Sequence, residues 1–173
     1  ETTSSGVTVT GYLGVDELGL GDNEKAKFGN GEDLQIWHDG SNSYIHNATN
    51  SLIVRTGGLS INDAANAKNS ATFDTDGSVE LYHNNVKTCY THSEGIQVQG
   101  PEGGNAIIYL YADEGDDNAD KYRLSSLTNG NWEVQDYSSG SAWETNIRVT
   151  GGGAVSLYYN DAKRLSTTAN GVQ

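Results

Sequence analysis

Methionine is absent from this chain of 173 residues, and cysteine and proline occur once each. A lone Cys89 excludes an intrachain disulfide, so no disulfide framework underlies the fold. Its place in a repeated strand suits a small buried thiol better than a reactive one. Without methionine there is no initiator, and the chain is expected to be a fragment, a processed product or one part of a longer polypeptide. No signal-peptide pattern is visible, and no apolar run approaches the roughly 20 residues that span a bilayer as a helix. Basic residues are few: 10 Lys and Arg stand against 23 Asp and Glu, a net charge of -13. That balance excludes a broad electrostatic surface for nucleic acid or anionic membrane. It fits a surface in a medium whose salt screens self-repulsion. Leu, Ile, Val and Phe total only 33, near the level of about 20 % at which disorder becomes a concern.

Two features oppose disorder. Ten Tyr and three Trp supply large buriable surfaces, and the apolar residues fall in short alternating runs, as strands require. A chain with strand pattern but little core can complete that core by pairing with copies of itself. Glycine, at 22 residues, clusters with Asn and Asp and implies many tight turns.

One segment returns three times: Leu34 to Gly40, Val79 to Asn85 and Val155 to Asp161. Each copy runs aliphatic, polar, aliphatic, aromatic, His or Tyr, then a turn-forming pair. A second element, Thr91 to Gln97, returns as Thr167 to Gln173 and resembles Thr2 to Thr8. The chain thus opens and closes at the same point of a repeat. Val79 lies 45 residues after Leu34, and Val155 lies 76 after Val79. Unequal spacing fits a modular array with inserts better than a strict solenoid.

Strands are expected at Val7 to Thr10, Leu34 to His38, Ser43 to His46, Ser51 to Arg55, Ala71 to Asp74, Val79 to His83, Thr88 to Thr91 and Ile96 to Gln99. Val15, Leu18 and Leu20 suggest short strands or a β-arc. The Ala-rich Asp63 to Asn69 fits a turn of helix or a loop. The Gly- and Pro-bearing stretch Gly100 to Gly104 is the best boundary. After it, Ala106 to Ala112, Lys121 to Ser126, Trp132 to Gln135 and Trp143 to Val149 read as an antiparallel meander. The organisation is therefore a β-repeat region over 1–100, an antiparallel insert over 101–150 and a returning repeat unit over 151–173.

LQIWHDGSNSYI (34–45), VELYHNNVKT (79–88), YADEGDDNADKYRL (111–124), AWETNIRVTGGGAVSLYYNDAKR (142–164) and TTSSGVTVTG (2–11) together resemble repeated segments of tail-fibre and related virion structural proteins of marine bacteriophages, especially those of cyanobacteria. The set is specific because its order also matches; each stretch alone is a plain β pattern. The resemblance implies an all-β, elongated fibre segment built as a slender homotrimer, intertwined or side by side. It implies a place in the virion, in or near the host-recognition apparatus, with other virion proteins and a host-surface glycan as partners. Short strands with one apolar position in two can wrap a threefold axis, each subunit supplying one wall of a shared core. A monomeric solenoid or sandwich would have to close its core from the same thin supply.

Candidate chemistry is sparse. The loop Asp113 to Asp120 holds five acidic groups in eight residues and looks like a calcium site, but it lacks the EF-hand ligand order, and a solvated turn is preferred. His38 and His83 share a repeat position that a threefold axis would gather into a metal site. The third copy has Tyr159 there, which favours packing, and no metal or cofactor is assigned. Trp132, Tyr137 and Trp143 lie near polar loops and are the candidate glycan contacts, against a packing role. Tyr109 and Tyr111 share one strand face by period two and read as core or subunit packing. No nucleophile elbow, phosphate loop or zinc signature is present, and the chain is not read as an enzyme. The reading is a structural fibre component that spaces or presents host-receptor binding. The alternatives are a carbohydrate-binding module in the 101–150 block and a glycan-cleaving spike with carboxylates in a groove between chains.

Two structural expectations follow. Ile36, Leu81 and Leu157 should be buried, with Trp37, Tyr82 and Tyr158 on the opposite side of their strands. Asp39-Gly40, Asn84-Asn85 and Asn160-Asp161 should close antiparallel hairpins, because Asn, Asp and Gly accept positive φ at low cost.

Overall fold

The computed structural model describes residues 10–173. The expected strand at Val7 to Thr10 and the first copy of the Thr-rich element lie, Thr10 apart, outside the described residues. The protein divides into two compact units, Glu1–Arg55 and Thr56–Gln173. The described residues form fifteen strands, two single 3-10 turns and no α-helix.

The first unit holds β1 (Ala26–Phe28), β2 (Leu34–His38) and β3 (Ser43–Asn47) in one antiparallel sheet. The second unit holds two sheets. One is the meander β4 (Gly58–Asn62), β5 (Asn69–Asp74), β6 (Val79–His83), β7 (Val86–His92) and β8 (Gly95–Val98). The other is the meander β9 (Ala106–Tyr111), β10 (Lys121–Ser126), β11 (Asn131–Asp136), β12 (Glu144–Thr150), β13 (Val155–Tyr159), β14 (Ala162–Thr168) and β15 (Gly171–Val172). The meander after Gly104 and the returning repeat unit are thus one sheet. Ser51 to Arg55 forms no strand, and none forms around Val15, Leu18 and Leu20; Asp63 to Lys68 is a loop. Strand-forming side chains there find no partner strand among the described residues, so propensity alone does not produce a ladder.

The repeat is carried by register. Ala26 faces Ile36, Ala71 faces Leu81, and Ile147 faces Leu157, the same pairing in all three copies. In the second and third copies the match reaches single hydrogen bonds. A bulge follows Leu81 in one and Leu157 in the other. The Thr91 hydroxyl accepts from the Val79 N–H at 2.9 Å, as Thr167 does from Val155 at 3.0 Å. The correspondence also extends upstream of the visible sequence repeat. Ile61 pairs with Ala71 and Val134 with Ile147, each followed by a bulge, so β4–β8 and β11–β15 are equivalent five-stranded units. Only β9 and β10 are extra to that scheme.

All three hairpins form, and their turns follow the expected chemistry. Asn84, Asn85, Asn160 and Asp161 have φ of 50, 64, 48 and 54°, as two-residue turns of the favoured hand require. The first copy differs in length: a four-residue loop, Asp39 to Asn42, links His38 to Ser43, with Gly40 at φ 93°. The Asp39 carboxylate holds that loop by accepting from the N–H groups of Ser41 and Asn42 at 2.9 and 2.7 Å. In the other copies the second turn residue reaches across to the start of the neighbouring strand. Asn85 Oδ1 accepts from Asn69 N at 3.0 Å, and Asp161 Oδ1 from Thr145 N at 2.7 Å.

The burial expectation fails within one chain. Ile36, Leu81 and Leu157 are 43, 47 and 42 % exposed, while Trp37, Tyr82 and Tyr158 on the opposite faces are half-buried. Alternation sorts the faces as expected, but no layer among the described residues covers the aliphatic one. Leu59, Ile61, Phe73, Leu81 and Ile96 lie exposed on one side of the five-stranded sheet. Ile108, Leu110, Leu157 and Leu165 do the same on the seven-stranded one. Val98 of β8 joins Ile108, Leu124 and Trp132 in one apolar cleft, so the two faces look to the same side. Among the described residues, Ala71 is the only buried hydrophobic one. Cys89, paired with Leu81 and Val98 on that face, is half-buried and not fully enclosed.

The turn clamps are separable from the strands they serve. Asp161→Ala removes both the acceptor for Thr145 N–H and a residue tolerant of positive φ, and should cost about 1–3 kcal/mol in denaturant titrations. Asp161→Asn keeps both and should stay within about 0.5 kcal/mol of the parent.

Candidate functional site

The polar face of the seven-stranded sheet is the most organised surface of the protein. Strand alternation puts Tyr109, Arg123, Ser125, Glu133, Gln135, Arg148, Ser156 and Tyr158 on it, opposite the aliphatic side. Its buried groups are polar, with Ser125 0 % and Glu133 2 % exposed, because longer side chains lie over them. Arg148 Nε donates to Glu133 Oε1 at 2.5 Å, and its Nη1 donates to the Tyr158 hydroxyl at 3.1 Å. The Glu133 carboxylate is the main cause holding the Arg148 guanidinium above its ordinary pKa. Arg123 Nε donates to Gln135 Oε1 at 2.6 Å, which also accepts from Ser125 Oγ at 3.3 Å. Burial works to raise the Asp136 carboxyl, but hydrogen bonds from Ser138 and Asn146 outweigh it and leave the group below its ordinary value. Glu133 and Asp136 are therefore the most buried carboxylates here, and both are committed to structural partners.

At the β9 end of this face an aromatic cluster assembles from distant segments. Tyr137 and Trp143, from the loop between β11 and β12, have ring centroids 5.3 Å apart. Trp143 also meets Tyr109 of β9 at 5.7 Å, and Tyr109 meets Tyr111 at 5.9 Å. The Arg123 guanidinium lies 4.5 Å from the Trp143 ring, and Lys121 Nζ lies 6.0 Å from the Tyr137 ring. Of the three candidate glycan contacts, the structure thus brings Tyr137 and Trp143 together. Trp132 lies on the opposite, aliphatic face. The register explains why: Trp132 pairs with Val149 as Leu59 pairs with Phe73, so it fills an aliphatic position of the repeat. Tyr109 and Tyr111, read from sequence as packing residues, belong to the cluster and remain 52 and 51 % exposed. Their alternation with Ile108 and Leu110 was the available signal, because it sets them on the face opposite the aliphatic one. Nothing in the sequence pattern marks Arg123 or Lys121.

Of the other candidates, the acidic loop brings three carboxylates together, and the histidines stay apart from them. Carboxylate oxygens of Asp113, Asp116 and Asp120 lie within 4.8 Å of one another in the acidic loop, with the first two exposed. His38 Nδ1 is 3.1 Å from the Ser43 hydroxyl, His46 packs edge-on to Trp37, and His83 and His92 are exposed near neighbouring side chains. No histidine joins a metal-ligating group among the described residues. No helix among them is long and apolar enough to cross a membrane. In comparisons with known proteins, the chain matches no family model and no curated protein.

The polar face of the five-stranded sheet carries its own charged network. Glu80 accepts from the Tyr82 hydroxyl, from Ser78 Oγ at 2.8 Å and from Lys87 Nζ at 3.0 Å. In that order of weight, these bonds lower the Glu80 pKa to about 2, against an ordinary value of 4.5. The folded form thus binds this proton less readily than the unfolded one, so the stabilisation is complete above the unfolded pKa and is lost as pH falls through the folded one. Thermal unfolding followed between pH 6 and about pH 2 should show a decline that Glu80→Gln flattens.

Proposed function

We propose that this chain is a non-enzymatic structural segment of a bacteriophage tail fibre or spike. It assembles as a homotrimer and spaces or presents the host-binding part of the virion. One observation carries the assembly reading: among the described residues, nothing covers the aliphatic faces of the strands. Leu59, Ile61, Phe73, Leu81 and Ile96 of the five-stranded sheet and Ile108, Leu110, Leu157 and Leu165 of the seven-stranded one are all exposed on those faces. Leu52, Ile53 and Val54 add an exposed apolar run without a partner strand. The occupant that fits a repeated, one-sided aliphatic surface is a second and third copy of it, in register. The phage assignment rests on the resemblance of the repeated segments and on the modular repeat that supports it.

The partners under this reading are copies of the chain, other virion proteins and a host-surface glycan. Nucleic acid and membrane insertion are not among them. The protein would assemble in the host cytoplasm and act outside the cell as part of the virion.

Sedimentation over a range of concentrations tests the assembly. A trimer is expected, with dissociation and unfolding coinciding and a concentration-dependent melting temperature. Leu81→Ala should reduce trimer-linked stability by about 2–5 kcal/mol per site. A folded monomer that unfolds cooperatively at low concentration would overturn the proposal.

A further inference from the structure

We propose that the aromatic cluster on the polar face of the seven-stranded sheet is a saccharide-binding platform whose ligand is an uncharged pyranose chain. Four rings, Tyr109, Tyr111, Tyr137 and Trp143, meet there at centroid spacings of 5.3 to 5.9 Å. They come from β9 and from the loop before β12, so the cluster is made by the fold and not by local sequence. Aromatic rings that pack as core are covered, but Tyr109 and Tyr111 remain more than half exposed on a face that is polar across β10, β11 and β12. A row of amphipathic rings left open in this way is a contact surface in search of a flat, partly apolar ligand. A pyranose has that shape: one face of C–H groups, about the width of an aromatic ring, and a rim of hydroxyls.

The rim finds both donors and acceptors. Arg123 uses Nε on Gln135, and its two terminal amino groups donate no hydrogen bond among the described residues. Neither Arg123 nor Lys121 is ion-paired among them. At the β9 edge runs an open groove of about 540 Å³, bordered by Tyr109 and Tyr111 from the ring side and by Leu110 and Tyr122 from the aliphatic side, with Asp120 adding a carboxylate acceptor. Charge selects the class of sugar. The groove adjoins a loop with five acidic groups in a chain of net charge -13, so an acidic saccharide meets repulsion that two cations only partly offset. The four rings lie opposite the aliphatic face, so burying that face between subunits leaves the rings open, while the groove sits at the β9 edge between the two faces. The platform requires only the folded sheet and does not rest on the fibre reading, which stands or falls by the oligomeric state.

The test titrates the full chain with tetrasaccharides of glucose, mannose and galactose, and with a galacturonic acid tetramer as the charged control. Tryptophan fluorescence and saturation transfer from aromatic protons to sugar ring protons report binding. At least one neutral tetrasaccharide should bind with Kd on the order of 1 mM or tighter. Its affinity should change less than twofold between low and high salt. Tyr109→Ala and Tyr111→Ala should each weaken it about tenfold or more, while Tyr12→Ala, in the other unit, should not. Tyr111→Leu keeps apolar bulk without a planar ring and should behave like the alanine variant, with unchanged circular dichroism showing that the fold survives. The inference is overturned if no neutral tetrasaccharide binds, if the galacturonate tetramer binds more tightly, or if Tyr111→Leu binds like the parent.

Discussion

Side chains alternate along a strand, so every sheet has two faces, and this protein encloses neither of them in the usual way. Its aliphatic residues gather on one face and stay in solvent, with Ala71 the lone buried hydrophobic residue among those described. Burial of apolar surface is the main favourable term in folding, at about 25 cal/mol per Å². A chain that leaves this much of it unused must either be weakly folded alone or complete its burial elsewhere. The sheets, their meander order and the proposed assembly all follow from that constraint. Local hairpins bring neighbouring strands together with short loops, and each completed sheet then presents a regular apolar face, the one that the proposed assembly would bury.

The opposite face shows how a sheet without a hydrophobic layer is kept ordered. Glu133 with Arg148, Gln135 with Arg123 and Ser125, and Ser156 with Ser166 form hydrogen-bonded pairs across the strands, so each of these buried groups has a partner. The aromatic rings lie over the same surface. Buried polar groups cost free energy when unpaired, so a fully satisfied network fixes register as firmly as packing does. Register in turn decides which side chains share a face, and that places Tyr109 and Trp143 together although 34 residues separate them.

Much of this was readable in the residues. The sequence Leu81-Tyr82-His83-Asn84-Asn85 encodes a strand and its turn, because two adjacent Asn residues suit the positive φ of a tight hairpin and an alternating run suits a ladder. Leu157 to Asp161 encodes the same. Other parts were not readable, for identifiable reasons. Ser51 to Arg55 has strand composition, but pairing needs a neighbour that the described residues do not supply. The burial of Leu81 depends on what lies above the sheet, and alternation names the face without naming its cover. Trp132 looked equivalent to Trp143 because both are aromatic and near polar loops. Their faces differ, and only the bulge after Val134 and the match of Trp132 to Leu59 reveal it. The equivalence of β4 and β11 was hidden by loops of different length and by unlike residues, since the repeat there is one of geometry.

The clamps from Asn85 to Asn69 and from Asp161 to Thr145 tie each hairpin to the strand before it, entirely within one unit. The joint that follows the first such unit, Gly100 to Gly104, lies between two strands and closes on itself through Gly104 N–H to the Pro101 carbonyl at 2.8 Å. A gene encoding such a chain can be cut and rejoined at that joint without dividing a ladder. Units can then be duplicated, shortened or exchanged between genomes while each continues to fold by its own turns. Length and the character of the polar face become variables of recombination, and the aliphatic face, which the proposed assembly requires every unit to present in the same register, is the part that exchange would have to leave unchanged.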